Sequence, residues 1–271
     1  MSTTSPAINI KQLDVKYGNK QIIGKLDLAI KKGKITALIG PNGCGKSTLL
    51  KSISRLIKPS AGSIFLGADL DILKCPSKEI AKQLALLPQV TQSPEGITVS
   101  TLVAFGRAPY LNQFGMLKAA DHRQIALAMQ QAGVSDLADS YIDQLSGGQL
   151  QRVWIALVLA QDTDILLLDE PTTYLDICHQ FELLELLQQL NDSGKTIVLV
   201  MHDLNQACRY ADELVIMREG KIIDIGTPQT VFTETMLSEV FNFDAIVIKD
   251  PEANTPMSIA RTRINKRSKA A

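Results

Sequence analysis

The sequence predicts an α/β protein built on a mixed, mainly parallel sheet with flanking helices. Three observations carry that prediction. Short unbroken apolar runs at 35–39 (ITALI), 164–169 (DILLLD) and 196–201 (TIVLVM) have the texture of strands buried on both faces. Segments 120–132, 147–160 and 179–190, which separate such runs, place apolar residues at helical spacing. The first run ends in a glycine-rich stretch, GPNGCGKST at 40–48, that opens a helix.

In chain order, residues 7–13, 14–17 and 26–30 read as short strands, with turns at Gly18-Asn19 and 31–33. They form an N-terminal antiparallel β subdomain. Strand 35–39 leads through the glycine loop into a helix over 47–57 that stops near Pro59. Residues 89–162 are rich in helical patterns and form an inserted helical subdomain. The core is therefore expected over 7–88 and 163–245, as one domain spanning 7–245. Residues 213–217 and 221–225 read as a hairpin around Glu219-Gly220. Residues 246–271 are expected to be a C-terminal extension ending in a basic tail with Arg261, Arg263, Lys266, Arg267 and Lys269.

Composition excludes several classes. Lysine plus arginine and aspartate plus glutamate both total 28, so no global positive field draws the chain to nucleic acid. No run approaches the ~20 apolar residues of a membrane helix, and the N-terminus lacks the pattern of a signal peptide. The chain is expected in the cytosol. Cys44, Cys75, Cys178 and Cys208 form no C-x-x-C pair and read as reduced thiols.

The loop Gly40-Pro41-Asn42-Gly43-Cys44-Gly45-Lys46-Ser47, followed by Thr48, fits G-x-x-x-x-G-K-[ST] between a strand and a helix. Glycines lacking Cβ let backbone N–H groups approach phosphate oxygens. The helix offers its positive end, equivalent to about half a charge. Lys46 adds a full charge for the β- and γ-phosphates, and the Ser47 hydroxyl can ligate Mg²⁺. The chain thus reads as a P-loop NTPase. Asp169 and Glu170 follow the run 165–168, at the ligand end of a central strand. Asp169 is the candidate Mg²⁺ carboxylate. Glu170 is the candidate general base on water, a role worth ~10²–10⁴-fold in rate. A second glycine pair, in Leu145-Ser146-Gly147-Gly148-Gln149, opens another helix, where glycine is costly. That choice makes sense if a further phosphate touches those amides, for instance the nucleotide of a partner molecule.

With LSGGQ at 145–149 beside the 40–48 and 165–170 motifs, the sequence resembles the ATP-binding cassette ATPases over about residues 7–245. The resemblance implies ATP and Mg²⁺ as ligands and gives further residues a role. Tyr17 matches the aromatic that stacks on adenine. Gln89 matches the glutamine that senses Mg²⁺ and water and contacts the membrane part. Asp176 matches the loop that crosses to the other subunit, and His202 the histidine at the γ-phosphate. Two copies are then expected to pair head to tail, each ATP lying between one copy's 40–48 loop and the other's Ser146–Gln149.

The stretches at 33–50, 94–99 (PEGITV), 169–180 (DEPTTYLDICHQ) and 202–212 (HDLNQACRYAD) are similar to the ferric siderophore group of that family. One departure is Leu150, where a basic or polar residue is expected. The group's properties imply an ATPase powering import of a ferric siderophore, a ferric-citrate-type chelate among them. Haem and cobalamin are the group's other cargoes. They also imply separate integral membrane permease subunits, a substrate-binding protein acting indirectly, and a peripheral place on the cytoplasmic face of the inner membrane. Residues 94–99 and 105–114 are expected to line the groove that receives a permease's coupling helix. Soluble cassettes working on ribosomes or DNA fit less well, since there is one cassette, no heptad insertion and a neutral charge. A regulator without hydrolysis would have lost Glu170 or His202, and both are present.

Overall fold

A computed structural model describes residues 5–89, 95–112, 114–173 and 175–261. The chain opens with strands β1 (Ile8–Tyr17), β2 (Lys20–Ile30) and β3 (Ile35–Ile39), then helix α1 (Lys46–Ile53). Strands β4 (Ala61–Leu66) and β5 (Leu70–Asp71), helix α2 (Ser77–Ile80) and strand β6 (Leu84–Leu87) follow. A helical stretch carries α3 (Val99–Ala104), α4 (Ala119–Gln131) and α5 (Gly147–Ala160). The chain then alternates through β7 (Ile165–Asp169), α6 (Ile177–Asp192), β8 (Thr196–Val200) and α7 (Leu204–Tyr210). It ends with β9 (Glu213–Arg218), β10 (Lys221–Gly226), α8 (Pro228–Val231), α9 (Glu234–Phe241), β11 (Ala245–Lys249) and β12 (Pro256–Ala260).

The central sheet runs in the order β10-β9-β3-β8-β7-β6. Its strands from β9 to β6 are parallel, and β10 adds an antiparallel edge. An antiparallel sheet, β2-β1-β4-β5, forms the N-terminal part. β3, β7 and β8 are buried along their whole length, which is why they read as unbroken apolar runs. Side chains alternate between two cores. Ile35, Ala37, Ile39, Leu166 and Leu168 join Val99, Ile125 and Val153 of the helical stretch. Leu38, Ile165 and Leu167 join Leu49 of α1 and Ile8, Leu13, Leu28 and Ile64 of the antiparallel sheet. Asp169 shares the parity of Ile165 and Leu167, so β7 aims it at α1.

Three expectations need correction. Residues 7–13 and 14–17 are one strand, β1, because the break near Gln12 is a bulge in the pairing and not a turn. Gln12 takes φ 47, the register with β2 shifts between Ile10 and Leu13, and Asp27 Oδ1 accepts the Gln12 N–H at 2.8 Å. The partner strand starts at Lys20, well before residue 26. The helix after the glycine loop ends at Ile53 and not at 57. Ser54 Oγ turns back onto the Lys51 carbonyl at 3.1 Å and Arg55 adopts φ 64, which closes the helix early. Beyond these three, the residues from 246 on open within β11, which starts at Ala245 and pairs with β12 in a hairpin the sequence did not announce.

A buried ion pair fixes the helical stretch. Arg107 directs Nε and Nη2 to Asp121 Oδ1 at 2.9 and 2.8 Å, and Nη1 to the Ala160 carbonyl at 2.9 Å. Asp121 Oδ2 accepts the Lys118 N–H at the start of α4. That backbone bond first, and Arg107 second, hold the Asp121 carboxyl below the usual carboxylate range. Asp121→Ala leaves a buried guanidinium unpaired and is expected to cost about 3–5 kcal/mol at neutral pH, read by urea unfolding. A lowered carboxyl contributes stability above its unfolded value and loses it as pH falls through the folded one. The gap between parent and variant is therefore expected to narrow below about pH 4.

Candidate active site

The glycine loop leaves β3 through Gly40 at φ 154. A Cβ there would lie 2.1 Å from the Met217 carbonyl oxygen, so only glycine lets the loop pass β9. Gly45 then caps α1 in a left-handed conformation. The first N–H groups of α1, beginning at Lys46, have no carbonyl four residues behind them and point out of the helix end. The Lys46 side chain is buried and folds back over the loop, donating to the carbonyls of Gly40 at 2.7 Å and Pro41 at 3.1 Å. Its Nζ also lies 3.9 Å from Cys44 Sγ.

An open cleft of about 670 Å³ lies over this loop. Its floor is Asn42, Gly43, Cys44, Gly45, Lys46, Ser47 and Thr48; its walls include Gln89, Glu170 and His202. Lys20 and Ile22 of β2 also line it. Sequence reasoning missed both, and the only available signal was their place just after the Gly18-Asn19 turn. Tyr17 does not line the cleft; it is 52% exposed at the end of β1, in register with Lys20.

At the end of β7 two adjacent carboxylates diverge. Asp169 is 2% exposed, and its Oδ1 accepts the Ser47 hydroxyl at 2.8 Å. Burial pushes its carboxyl above the usual range, against the pull of Ser47, Lys51 and Lys46; Glu170 adds to the push. Oδ2 is buried with no protein partner. A buried, unpartnered carboxylate oxygen beside a hydroxyl is a donor set that suits Mg²⁺, which takes a carboxylate together with phosphate oxygens. Glu170 turns away at φ 55. Gln89 Nε2 donates to its Oε2 at 2.6 Å, and His202 Nε2 lies 2.6 Å from its Oε1. Gln89 follows β6, Glu170 follows β7 and His202 follows β8, so three neighbouring parallel strands deliver these side chains to one edge.

Ser146, Gly147, Gly148, Gln149 and Asp176 stand apart from this cleft. Ser146 caps α5 in a reciprocal box with Gln149: Ser146 Oγ accepts the Gln149 N–H at 3.3 Å and Gln149 Oε1 accepts the Ser146 N–H at 3.0 Å. A Cβ on Gly147 would meet nothing within 4 Å, and one on Gly148 only Leu175 at 3.7 Å. The fold of this chain therefore does not require glycine at either position. Asp176 caps α6, accepting the His179 N–H at 2.9 Å, and that bond is the main reason its carboxyl sits below the usual range.

All four cysteines are free, and burial pushes the Cys208 thiol up to about 12. No described helix is long and apolar enough to cross a membrane.

A family model described as ABC transporter matches residues 23–173. The iron(3+)-hydroxamate import ATP-binding protein FhuC of Bacillus subtilis (strain 168) is 46% identical over 254 residues, covering 93% of this chain and 94% of that protein. The ferric enterobactin transport ATP-binding protein FepC of Escherichia coli (strain K12) is 47% identical over 250 residues, 92% of each. Among solved structures, a metal-chelate type ABC transporter in an inward-facing conformation superposes with TM-score 0.81 at 27% identity, covering 95% of this chain and 98% of that one. The dimeric bacterial ABC transporter cassette MJ0796 gives 0.73 at 29% identity, covering 81% and 98%. The chain belongs to the ABC transporter family. Within it, the chain is an ATP-binding ATPase.

Two outcomes follow from this geometry. Lys46→Ala is expected to weaken ATP binding about 10–150-fold by equilibrium dialysis, the loss of one hydrogen-bonded charge at about 1.5–3 kcal/mol. Asp169→Asn removes a charge that burial disfavours, so it is expected to raise the thermal midpoint of the nucleotide-free protein at pH 7 while abolishing hydrolysis. A raised carboxyl favours the fold at low pH and loses that contribution as pH rises through the folded value, so the gain is expected to vanish in acid.

Proposed function

We propose that this chain is the ATP-hydrolysing subunit that powers import of a ferric siderophore across the inner membrane. The observation that carries hydrolysis is Glu170, held by Gln89 and His202 beside the Ser47–Asp169 pair and above the phosphate loop. Lys46 and the α1 amides bind the β- and γ-phosphates, Tyr17 stacks on the base, and Ser47, Asp169 and Gln89 would hold Mg²⁺. When bound, the ion neutralises phosphate charge. Glu170 takes the proton of the attacking water, and His202 and Gln89 orient Glu170 and the γ-phosphate region.

Ser146, Gly147, Gly148, Gln149 and Asp176 act on the nucleotide of a second copy, paired head to tail. Glycines with no role in their own chain's packing support this reading, as does the dimeric cassette among the structural neighbours. The core comprises 7–88 and 163–245, the helical subdomain 89–162, and the extension 246–271. A largely apolar cleft of about 500 Å³ lies between α3 and α4 and is lined by Phe105, Ala108 and Leu111; nearby Phe114 is 82% exposed. It is the proposed seat of a permease coupling helix at the cytoplasmic face. Residues 94–99 are the other proposed part of its lining. Thr98 caps α3, Val99 is core, and Pro94 lies outside the described residues.

The cargo class rests on relatives named for ferric hydroxamate and ferric enterobactin transport. A panel of radio-iron hydroxamate, catecholate and citrate chelates, with labelled haem and cobalamin, tests it in cells carrying either the parent chain or only Glu170→Gln. Uptake of one ferric chelate is expected to fall at least about 100-fold with the lost general base. Loss of cobalamin or haem uptake alone would move the cargo to the group's other ligands. Persistence of all uptake would overturn the transport role.

A further inference from the structure

The hairpin β11–β12 lies along α7, the helix that starts two residues after His202. Two side chains of α7, four residues apart and so on one face, hold it there. The Asn205 amide pairs with the peptide of Ser258 in both directions. Its Nδ2 donates to the Ser258 carbonyl at 3.2 Å, and its Oδ1 accepts the Ser258 N–H at 2.8 Å. The Ser258 hydroxyl donates to the same Oδ1 at 3.0 Å. One turn on, Arg209 Nη2 meets the two carboxylate oxygens of Asp250 at 3.2 and 3.1 Å. Asp250 also accepts the N–H groups of Glu252 and Ala253, which build the hairpin's turn.

At its base the hairpin is tied to α9. Arg261 Nη2 lies 2.9 Å from Glu234 Oε2, and Glu234 Oε1 accepts the Val247 N–H at 3.2 Å. The brace is therefore anchored at both ends to folded elements. The start of α7 is equally fixed: Asp203 Oδ1 accepts the N–H groups of Asn205 and Gln206, each at 2.9 Å. The His202 side chain, by contrast, is about half exposed, with 47% of its surface free. Packing does little to aim it. The path of the backbone from β8 into α7 decides whether Nε2 reaches Glu170.

We propose that the C-terminal hairpin braces the hydrolytic site, with Asn205 and Arg209 as positioning residues that fix α7 and thereby hold His202 on Glu170. This rests on the role of His202 given above. A hairpin that only capped the fold would add stability without changing turnover. A brace instead sets kcat and leaves ATP affinity alone, because the polar contacts of Asn205 and Arg209 go to Ser258 and Asp250 of the hairpin and not to the phosphate loop between β3 and α1.

The test measures kcat and KM for ATP on the full chain, well below each variant's thermal midpoint. The variants are Asn205→Ala, Arg209→Met and Arg209→Lys, and the first two are repeated on His202→Ala. Asn205→Ala and Arg209→Met are each expected to lower kcat about 10-fold or more with KM within about twofold, since small displacements of a catalytic group cost that much. Arg209→Lys recovers part of the rate. On His202→Ala, neither substitution is expected to slow the enzyme further. Unchanged kcat in both single variants, a rise in KM in place of the fall in kcat, or losses that multiply with that of His202→Ala would each overturn the brace. If Asn205→Ala does not fold, Arg209→Met carries the same comparison. Full turnover by His202→Ala alone would instead remove the role assigned to His202, a failure distinct from that of the hairpin.

Discussion

The site depends on how the backbone leaves β7. A strand sends successive side chains to opposite faces, and Asp169 follows that rule into the α1 side of the sheet. Glu170 sits at φ 55, a region that costs a non-glycine residue about 1–3 kcal/mol. Hydrogen bonds to a charged group contribute roughly 1.5–3 kcal/mol each. The two partners of Glu170, Gln89 and His202, are therefore enough to hold the strained turn. The turn separates two carboxylates into different surroundings: one faces Ser47, buried and short of a partner, and the other faces the open cleft.

The same turn is coupled to the second glycine cluster. Gln151 of α5 donates to the Pro171 carbonyl at 3.0 Å, one residue past Glu170. Helix α5 begins at the exposed Ser146–Gly147 end and packs through Val153, Ile155 and Ala156 into the core beneath. A nucleotide seated on the α5 terminus of one copy would thus press on an element hydrogen-bonded to the turn beside that copy's own Glu170. The head-to-tail pairing proposed above would give this connection a use, since each copy would lend its α5 terminus to the ATP of the other.

Much of this was legible in the sequence because it is local. Strands β3, β7 and β8 announce themselves as apolar runs, and the 40–48 loop, Asp169 and Glu170 sit at their ends at fixed spacing. What needed the structure was long-range. Gln89, Glu170 and His202 follow three strands that are neighbours only through the order β6-β7-β8, and no periodicity reveals that order. Glu170 had its role from its place after the run 165–168, and Gln89 and His202 had theirs by resemblance; their mutual contacts emerged only in three dimensions. Lys20 and Ile22 enter the cleft because β2 begins earlier than its alternation suggests. The hairpin β11–β12 escaped because its strands are short, half-exposed and separated by polar residues. Tyr17 remains a rim residue whose role the sequence suggests and the cleft lining does not include.

Subunit mixing tests the composite site most directly. Copies carrying Lys46→Ala and copies carrying Ser146→Arg are expected to be inert separately, one lacking its phosphate lysine and the other blocking the second cradle. Paired head to tail, the two leave one site with an intact 40–48 loop from one copy and an intact Ser146–Gln149 from the other. Equal mixtures should therefore regain ATP hydrolysis, with a maximum near a one-to-one ratio. A mixture as inert as its components at every ratio would contradict the shared site.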